Sequence, residues 1–143
     1  MTSKNTPVAV TDLSSEIQAL AAGDDHTCAL TMNGGGLCWG NNLNGQLGDG
    51  TSISKNRPVA ITGLSNSVQA LAPGGYHTCA LTEKTDGSDA LFCWGNNSSG
   101  QLGDGSAWRT TPITVVIETS CYALTLAKNG EGSLPTASPA NST

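Results

Sequence analysis

Charge is scarce in this 143-residue chain. Asp, Glu, Lys and Arg make up only 12 %, about half the globular norm of roughly 25 %. That scarcity excludes a disordered polyelectrolyte. Basic residues are the rarer sign, 6 against 11 acids, and the net charge of −5 lacks the basic footprint that direct nucleic-acid binding needs. No apolar run approaches the roughly 18 residues of a membrane span, and the residues after Met1 do not read as a signal peptide. With two histidines, both in equivalent positions, and acids scattered among turns, no nucleophile–base–acid set can be assembled, so the expectation is no catalysis and no cofactor. What the chain has in excess is glycine: 18 residues, where about 10 are expected at a usage near 7 %. Much glycine with little charge points to many tight turns and little long helix. The length fits about one domain.

The chain repeats itself. Residues 18–31, QALAAGDDHTCALT, return as residues 69–82, QALAPGGYHTCALT, at an offset of 51. Residues 38–50, CWGNNLNGQLGDG, return as residues 93–105, CWGNNSSGQLGDG, at an offset of 55, so four residues are inserted between Thr82 and Cys93. Pro7-Val8-Ala9-Val10 likewise matches Pro58-Val59-Ala60-Ile61. A third copy begins at Pro112-Ile113-Thr114-Val115 and degenerates: Cys121-Tyr122-Ala123-Leu124-Thr125 resembles Cys-Ala-Leu-Thr with one residue inserted, and no Cys-Trp-Gly follows. The domain reading is therefore residues 1–50 and 51–105 as two repeats, 106–127 as a partial third, and 128–143 as a loose Ser/Pro/Gly/Asn-rich tail.

Within one unit the expectation is all β. Val8-Ala9-Val10 reads as a short apolar strand, and residues 17–21 alternate apolar with polar. Residues 27–31 have strand character, and Leu37-Cys38-Trp39 returns after the turn Asn33-Gly34-Gly35-Gly36. Four short strands in about 50 residues, divided by glycine turns, are the signature of a β-propeller blade. A solenoid competes, with usually shorter repeats. The tryptophan sits in Cys-Trp-Gly and not in Trp-Asp, which argues against the WD40 class.

The pattern of Gly23, residues 26–31 and residues 38–50, repeated at Gly74, residues 77–82 and residues 93–105, resembles the repeat of the regulator of chromosome condensation 1 (RCC1) family. The resemblance covers about three quarters of the chain. It implies a partial β-propeller of two four-stranded blades plus an incomplete third, since the family builds propellers of about seven blades. It also implies that the histidine is structural and bonds to a neighbouring turn. Bacterial proteins with this cysteine-bearing version are similar and often secreted. The family's sharper roles are guanine-nucleotide exchange on a small GTPase and, in similar proteins, inhibition of a secreted enzyme. The contacts for both lie outside the repeat motif, and none matches here residue by residue.

The cysteines are the most chemical feature. Cys28 and Cys38 are ten apart, and Cys79 and Cys93 fourteen. Positions symmetric about a hairpin turn face each other, at Cα separations of about 4.5–5.5 Å that suit a disulfide. One reading is a cross-strand staple in each unit, implying an oxidising compartment; the other is buried free thiols. Cys121 is left over, either free or intermolecular. His26-x-Cys28 and His77-x-Cys79 do not have the spacing of a zinc site, and no metal is expected. Residues 45–50 and 100–105 are glycine-rich but lack the Lys-Ser/Thr of a P-loop, and Asp49 and Asp104 lack the alternating acids of an EF-hand. Turn-forming Gly, core-filling Leu47 and Leu102 and turn-capping Asp are the plainer reading. Trp39 and Trp94 read as core residues. The Asn-x-Ser/Thr matches at Asn96, Asn97 and Asn141 carry no weight in turns this rich in Asn and Ser.

The expected role is a non-enzymatic binding or scaffold module, a fragment of a larger propeller that presents variable loops to a protein partner. The alternative is a self-assembling extracellular or cell-surface protein, favoured by open sheet faces. Between units, Asp24-Asp25 becomes Gly75-Tyr76, Leu43-Asn44 becomes Ser98-Ser99, and residues 32–37 become residues 83–92 while the framework stays fixed. Asp24, Asp25 and Tyr76 are therefore candidate partner contacts, together with Trp108, which lies outside the repeated positions and is expected to be exposed, and its neighbour Arg109.

Overall fold

In the computed structural model, residues 3–13, 16–106 and 108–115 are described. Eight strands form two four-stranded antiparallel sheets, each a plain meander. The first contains β1 (Ile17–Ala22), β2 (His26–Thr31), β3 (Gly36–Gly40) and β4 (Lys55–Ala60); the second contains β5 (Val68–Pro73), β6 (His77–Glu83), β7 (Asp89–Asn96) and β8 (Trp108–Thr114). The described residues contain no helix.

The registers repeat as the sequence does. Cys28 stands opposite Cys38, and Cys79 opposite Cys93. The four extra residues lengthen the β6–β7 hairpin without shifting that register, because two go into each arm. A bulge recurs between Ile17 and Ala19 and between Val68 and Ala70. The outer strands β4 and β8 carry Pro58 and Pro112, residues that a sheet tolerates at its edge because they cannot donate to a further strand.

The sheets are out of phase with the sequence units. Pro58-Val59-Ala60 does not open a second sheet; it closes the first, with Val59 opposite Cys38. Residues 112–114 close the second sheet, with Ile113 opposite Cys93. This corrects the expectation for Val8-Ala9-Val10. Those residues are in no strand, and Val8 and Val10 are 63 % and 44 % exposed. The strand propensity is present, but the neighbouring strand such a segment would pair with is not among the described residues. The turn after it is formed nevertheless: Asp12 adopts a φ of 65°, as Gly63 does (79°) at the matching position. Cys121 and the rest of the degenerate third unit, and the tail, lie outside the described residues.

The core lies between the two sheets, where β2 packs on β5. Strand alternation divides each sheet into two faces. From the first sheet, a front face of Cys28, Leu30, Cys38 and Val59 meets Leu71, Ala80, Phe92 and Trp94 on the rear face of the second, with Leu47, Ile61 and Leu64 filling the gap.

Candidate functional site

Two connections per sheet emerge at one end of the fold. At that end β1 turns into β2 through residues 23–25, and β3 reaches β4 through residues 41–54; the second sheet repeats this with residues 74–76 and with the connection that starts at Asn97. The hairpin of residues 84–88 lies at the opposite end. The three variable segments therefore do not form one rim. The 24–25 and 43–44 positions and their counterparts share an end, while the 32–37 and 83–92 segments lie at the other.

All five candidate contacts are at the first end. Asp24 and Asp25 are exposed, and Tyr76 is 52 % exposed. The turns of the two sheets abut, so a Cβ added at Gly75 would stand 2.9 Å from an Asp24 carboxylate oxygen. Trp108, 53 % exposed, pairs with Asn96, whose amide donates to the Tyr76 carbonyl at 2.8 Å. Leu43 and Ile53, 72 % and 66 % exposed, add apolar surface there that the sequence reading did not single out. Arg109 has a structural task as well. Its Nε lies 3.2 Å from Asp104 Oδ2, just as Lys55 Nζ lies 3.4 Å from Asp49 Oδ2. The equivalence was hidden because Lys55 and Arg109 are offset by 54, whereas Asp49 and Asp104 are offset by 55.

Each long turn is built around a buried asparagine that sequence reasoning also missed. Asn42 accepts from the Leu47 amide at 2.9 Å, while its own amide group donates to Asp49 Oδ1 at 3.1 Å and to the Thr51 carbonyl at 3.0 Å. Asn97 does the same toward Leu102 and Asp104. The only signal available was the repetition of Trp-Gly-Asn-Asn in both units. Burial would by itself raise the Asp49 pKa, but hydrogen bonds from the Thr51 hydroxyl and amide, Asn42 and Lys55 outweigh it and hold the carboxyl below its usual range. Hydrogen bonds from Ser106, then the Arg109 contact, lower Asp104. A carboxylate with a depressed native pKa stabilises the fold above the ordinary carboxylate range of about pH 4, and that contribution is lost as pH falls through the native value. Thermal melts should therefore move down from about pH 5 to pH 3. Asp49→Ala should cost about 1–3 kcal/mol at neutral pH and flatten that slope.

The sheets are joined by a polar seam. The Gln46 carbonyl accepts from Thr78 Oγ1 at 2.8 Å and from Trp94 Nε1 at 2.9 Å. Since the Thr78 proton is committed to that carbonyl, its oxygen accepts from His26 Nε2, 2.9 Å away. This fixes the tautomer and leaves His26 Nδ1 buried with no partner among the described residues. Burial lowers the His26 pKa, His77 lowers it further, and Asp24 and Asp25 pull it back up. The imidazole is thus a neutral structural donor, as the resemblance implied, although its partner is a strand hydroxyl of the next sheet and not a turn. Gly48 must be glycine for this contact: its φ is +72°, and a Cβ there would stand 2.6 Å from Trp94 Nε1.

Cys28 and Cys38 have sulfurs 2.10 Å apart, and Cys79 and Cys93 2.12 Å apart, so both pairs are at disulfide-bonding distance. Among the described residues no group of three or more His, Cys, Asp or Glu side chains is placed to hold a metal ion, and no helix is long and apolar enough to cross a membrane.

Comparison with known proteins agrees with this architecture. Profiles described as the regulator of chromosome condensation (RCC1) repeat match residues 33–81 and 88–123, and residues 17–46 and 68–101. The ultraviolet-B receptor UVR8 of Arabidopsis thaliana is 39 % identical over 90 residues, covering 62 % of this chain and 20 % of that protein. The mitochondrial RCC1 domain-containing protein RUG3 of the same plant is 33 % identical over 113 residues, covering 78 % of this chain and 24 % of that one. Among solved structures, Prp20p of Saccharomyces cerevisiae superposes with a TM-score of 0.64 at 31 % identity, covering 80 % of this chain and 27 % of that chain. The chain spans no more than about a quarter of these relatives. On the strength of the profile matches and the shared sheet architecture, the chain belongs to the RCC1 repeat family.

Proposed function

We propose that this chain is a non-enzymatic scaffold that presents one end of its sheets to a protein partner. The observation that carries the reading is the contrast between a fixed frame and a changing end. Two units keep the His-Thr-Cys-Ala-Leu-Thr and Cys-Trp-Gly segments, while Asp24-Asp25 and Gly75-Tyr76 differ at one adjoining corner. Large exposed side chains carried on a fixed frame of sheets and tightly bonded turns are how a rigid scaffold carries recognition. The mixture of Tyr76, Trp108 and Leu43 with Asp24 and Asp25 suits a protein surface with apolar and basic groups. Relatives support the class: one solved structure is of Kap60 bound to yeast RCC1, and another concerns Prp20p and its binding to Gsp1p and histones. Some E3 ubiquitin-protein ligases of the HERC type are also relatives, each matched over 8 % or less of its length. The cysteine pairs favour an extracellular or cell-surface setting, where disulfides persist.

The test is photo-crosslinking from position 76 or 108 in the native extracellular fraction, compared with the same probe at position 86 on the opposite hairpin. A discrete adduct from the first end alone is expected, and Tyr76→Ser with Trp108→Ser should weaken its formation by at least about tenfold, as for two anchors near 1–2 kcal/mol each. Equal labelling from both ends, or an adduct indifferent to the substitutions, ends the proposal. Guanine-nucleotide exchange on a small GTPase is expected to be undetectable.

A further inference from the structure

The joint between the two sheets has a front half and a rear half, and a second copy of each stands without a facing sheet among the described residues. The front half in use is His26, Cys28 and Leu30 with the Gln46 carbonyl. Its copy on the second sheet is His77, Cys79 and Leu81 with Gln101. Where His26, Cys28 and Leu30 are 3 %, 0 % and 3 % exposed, their three counterparts are only partly buried. The rear half in use is Leu71, Thr78, Phe92 and Trp94. Its copy on the first sheet is Leu20, Thr27, Leu37 and Trp39. Trp94 and Thr78 are fully buried, whereas Trp39 and Thr27 are partly open and Leu20 is 66 % exposed.

We infer that these two faces fit each other, so that a second copy of this chain seats the rear of its first sheet on the front of the second sheet here. The occupant is argued from the joint already in the molecule. Every group needed to rebuild it is present: His77 to donate to the Thr27 hydroxyl, a Gln101 carbonyl to accept from that hydroxyl and from the Trp39 indole, and Leu20 and Leu37 to cover Cys79 and Leu81. The joint is heterologous, head to tail, because the two halves differ. Residues 7–13 match residues 58–64, the end of β4 and the start of its connection to β5, down to the left-handed turn residue. The neighbour's own β8 already fills the strand position that residues 7–10 would take, and that segment stays outside the joint. The proposal concerns the sheet faces, not the turn end assigned to the protein partner. Its failure would leave that reading intact.

The experiment is sedimentation of the full oxidised chain over a wide concentration range, with Leu20→Asp blocking the rear and His77→Lys blocking the front. Both positions contact solvent within one chain, and thermal melts of the variants report that each is folded. Wild type should exceed its 14.5 kDa monomer mass as concentration rises. Each variant alone should stay monomeric. An equimolar mixture should form a pair and stop there, because it offers one intact front and one intact rear. A wild type that remains monomeric throughout, a single variant that still self-associates, or a mixture that does not pair overturns the inference.

Discussion

Trp94→Ala should lower the unfolding free energy by about 3–5 kcal/mol, the range for deleting a large buried aromatic. Trp39→Ala, the same substitution in the same Cys-Trp-Gly motif, should cost less than half as much in a dilute monomer. Trp94 is fully buried and packs against Leu47, Ile61 and Gly48, while its indole N–H donates to the Gln46 carbonyl. Its loss leaves a cavity at the centre of the inter-sheet core and removes one of two donors from a buried acceptor. Trp39 has no sheet over it within the described residues, so its surroundings lose less and water can enter. Denaturant titration of the two variants at low concentration measures the difference. Equal costs would mean that Trp94 is not the covered member of the pair.

Opening both cysteine pairs should be nearly as severe. Loops of 10 and 14 residues each constrain the unfolded chain by about 3 kcal/mol on the entropy scale. Together that is comparable to the whole stability of a small domain, about 5–15 kcal/mol. Replacing Cys28 and Cys38 with Ala, or Cys79 and Cys93, should cost about 2–5 kcal/mol per pair, and the four-fold variant should be largely unfolded at 37 °C. The pairs differ in access. Cys28 and Cys38 are at 0 % exposure beneath the second sheet, whereas Cys79 is only partly buried on the open front face. Mild reductant on the native protein should therefore release the thiols of Cys79 and Cys93 first, as mass spectrometry after alkylation would show. A four-fold variant as stable as wild type would remove the cysteines from the account of stability, and simultaneous release would remove the difference in access between the pairs.

Much of the architecture was legible in the residues. Strand alternation and hairpin symmetry were enough to place Cys28 opposite Cys38 and Cys79 opposite Cys93, because both depend only on separations along the chain. The repeats also led to the family. What failed was phase. Val8-Ala9-Val10 has the composition of its counterparts 58–61 and 112–115, and strand propensity cannot report whether a pairing partner stands beside it. The same blindness assigned Pro58-Val59-Ala60 to the start of a unit when it ends a sheet. Arg109 looked like a free contact residue because its ion-pair partner could be recognised only after β8 was laid against β7.

Local sequence thus determined where glycine must turn the chain and which cysteines oppose each other, since both are fixed by neighbours a few residues away, whereas an edge segment became a strand only where a partner stood beside it. Tertiary structure alone decided which copy of each residue is buried. His26 and His77, Thr78 and Thr27, Trp94 and Trp39 lie in the same repeated His-Thr-Cys-Ala-Leu-Thr and Cys-Trp-Gly segments, yet among the described residues one of each pair lies in the joint and the other on an open face. Burial is a property of what stands opposite, and identical repeats cannot encode that difference within themselves.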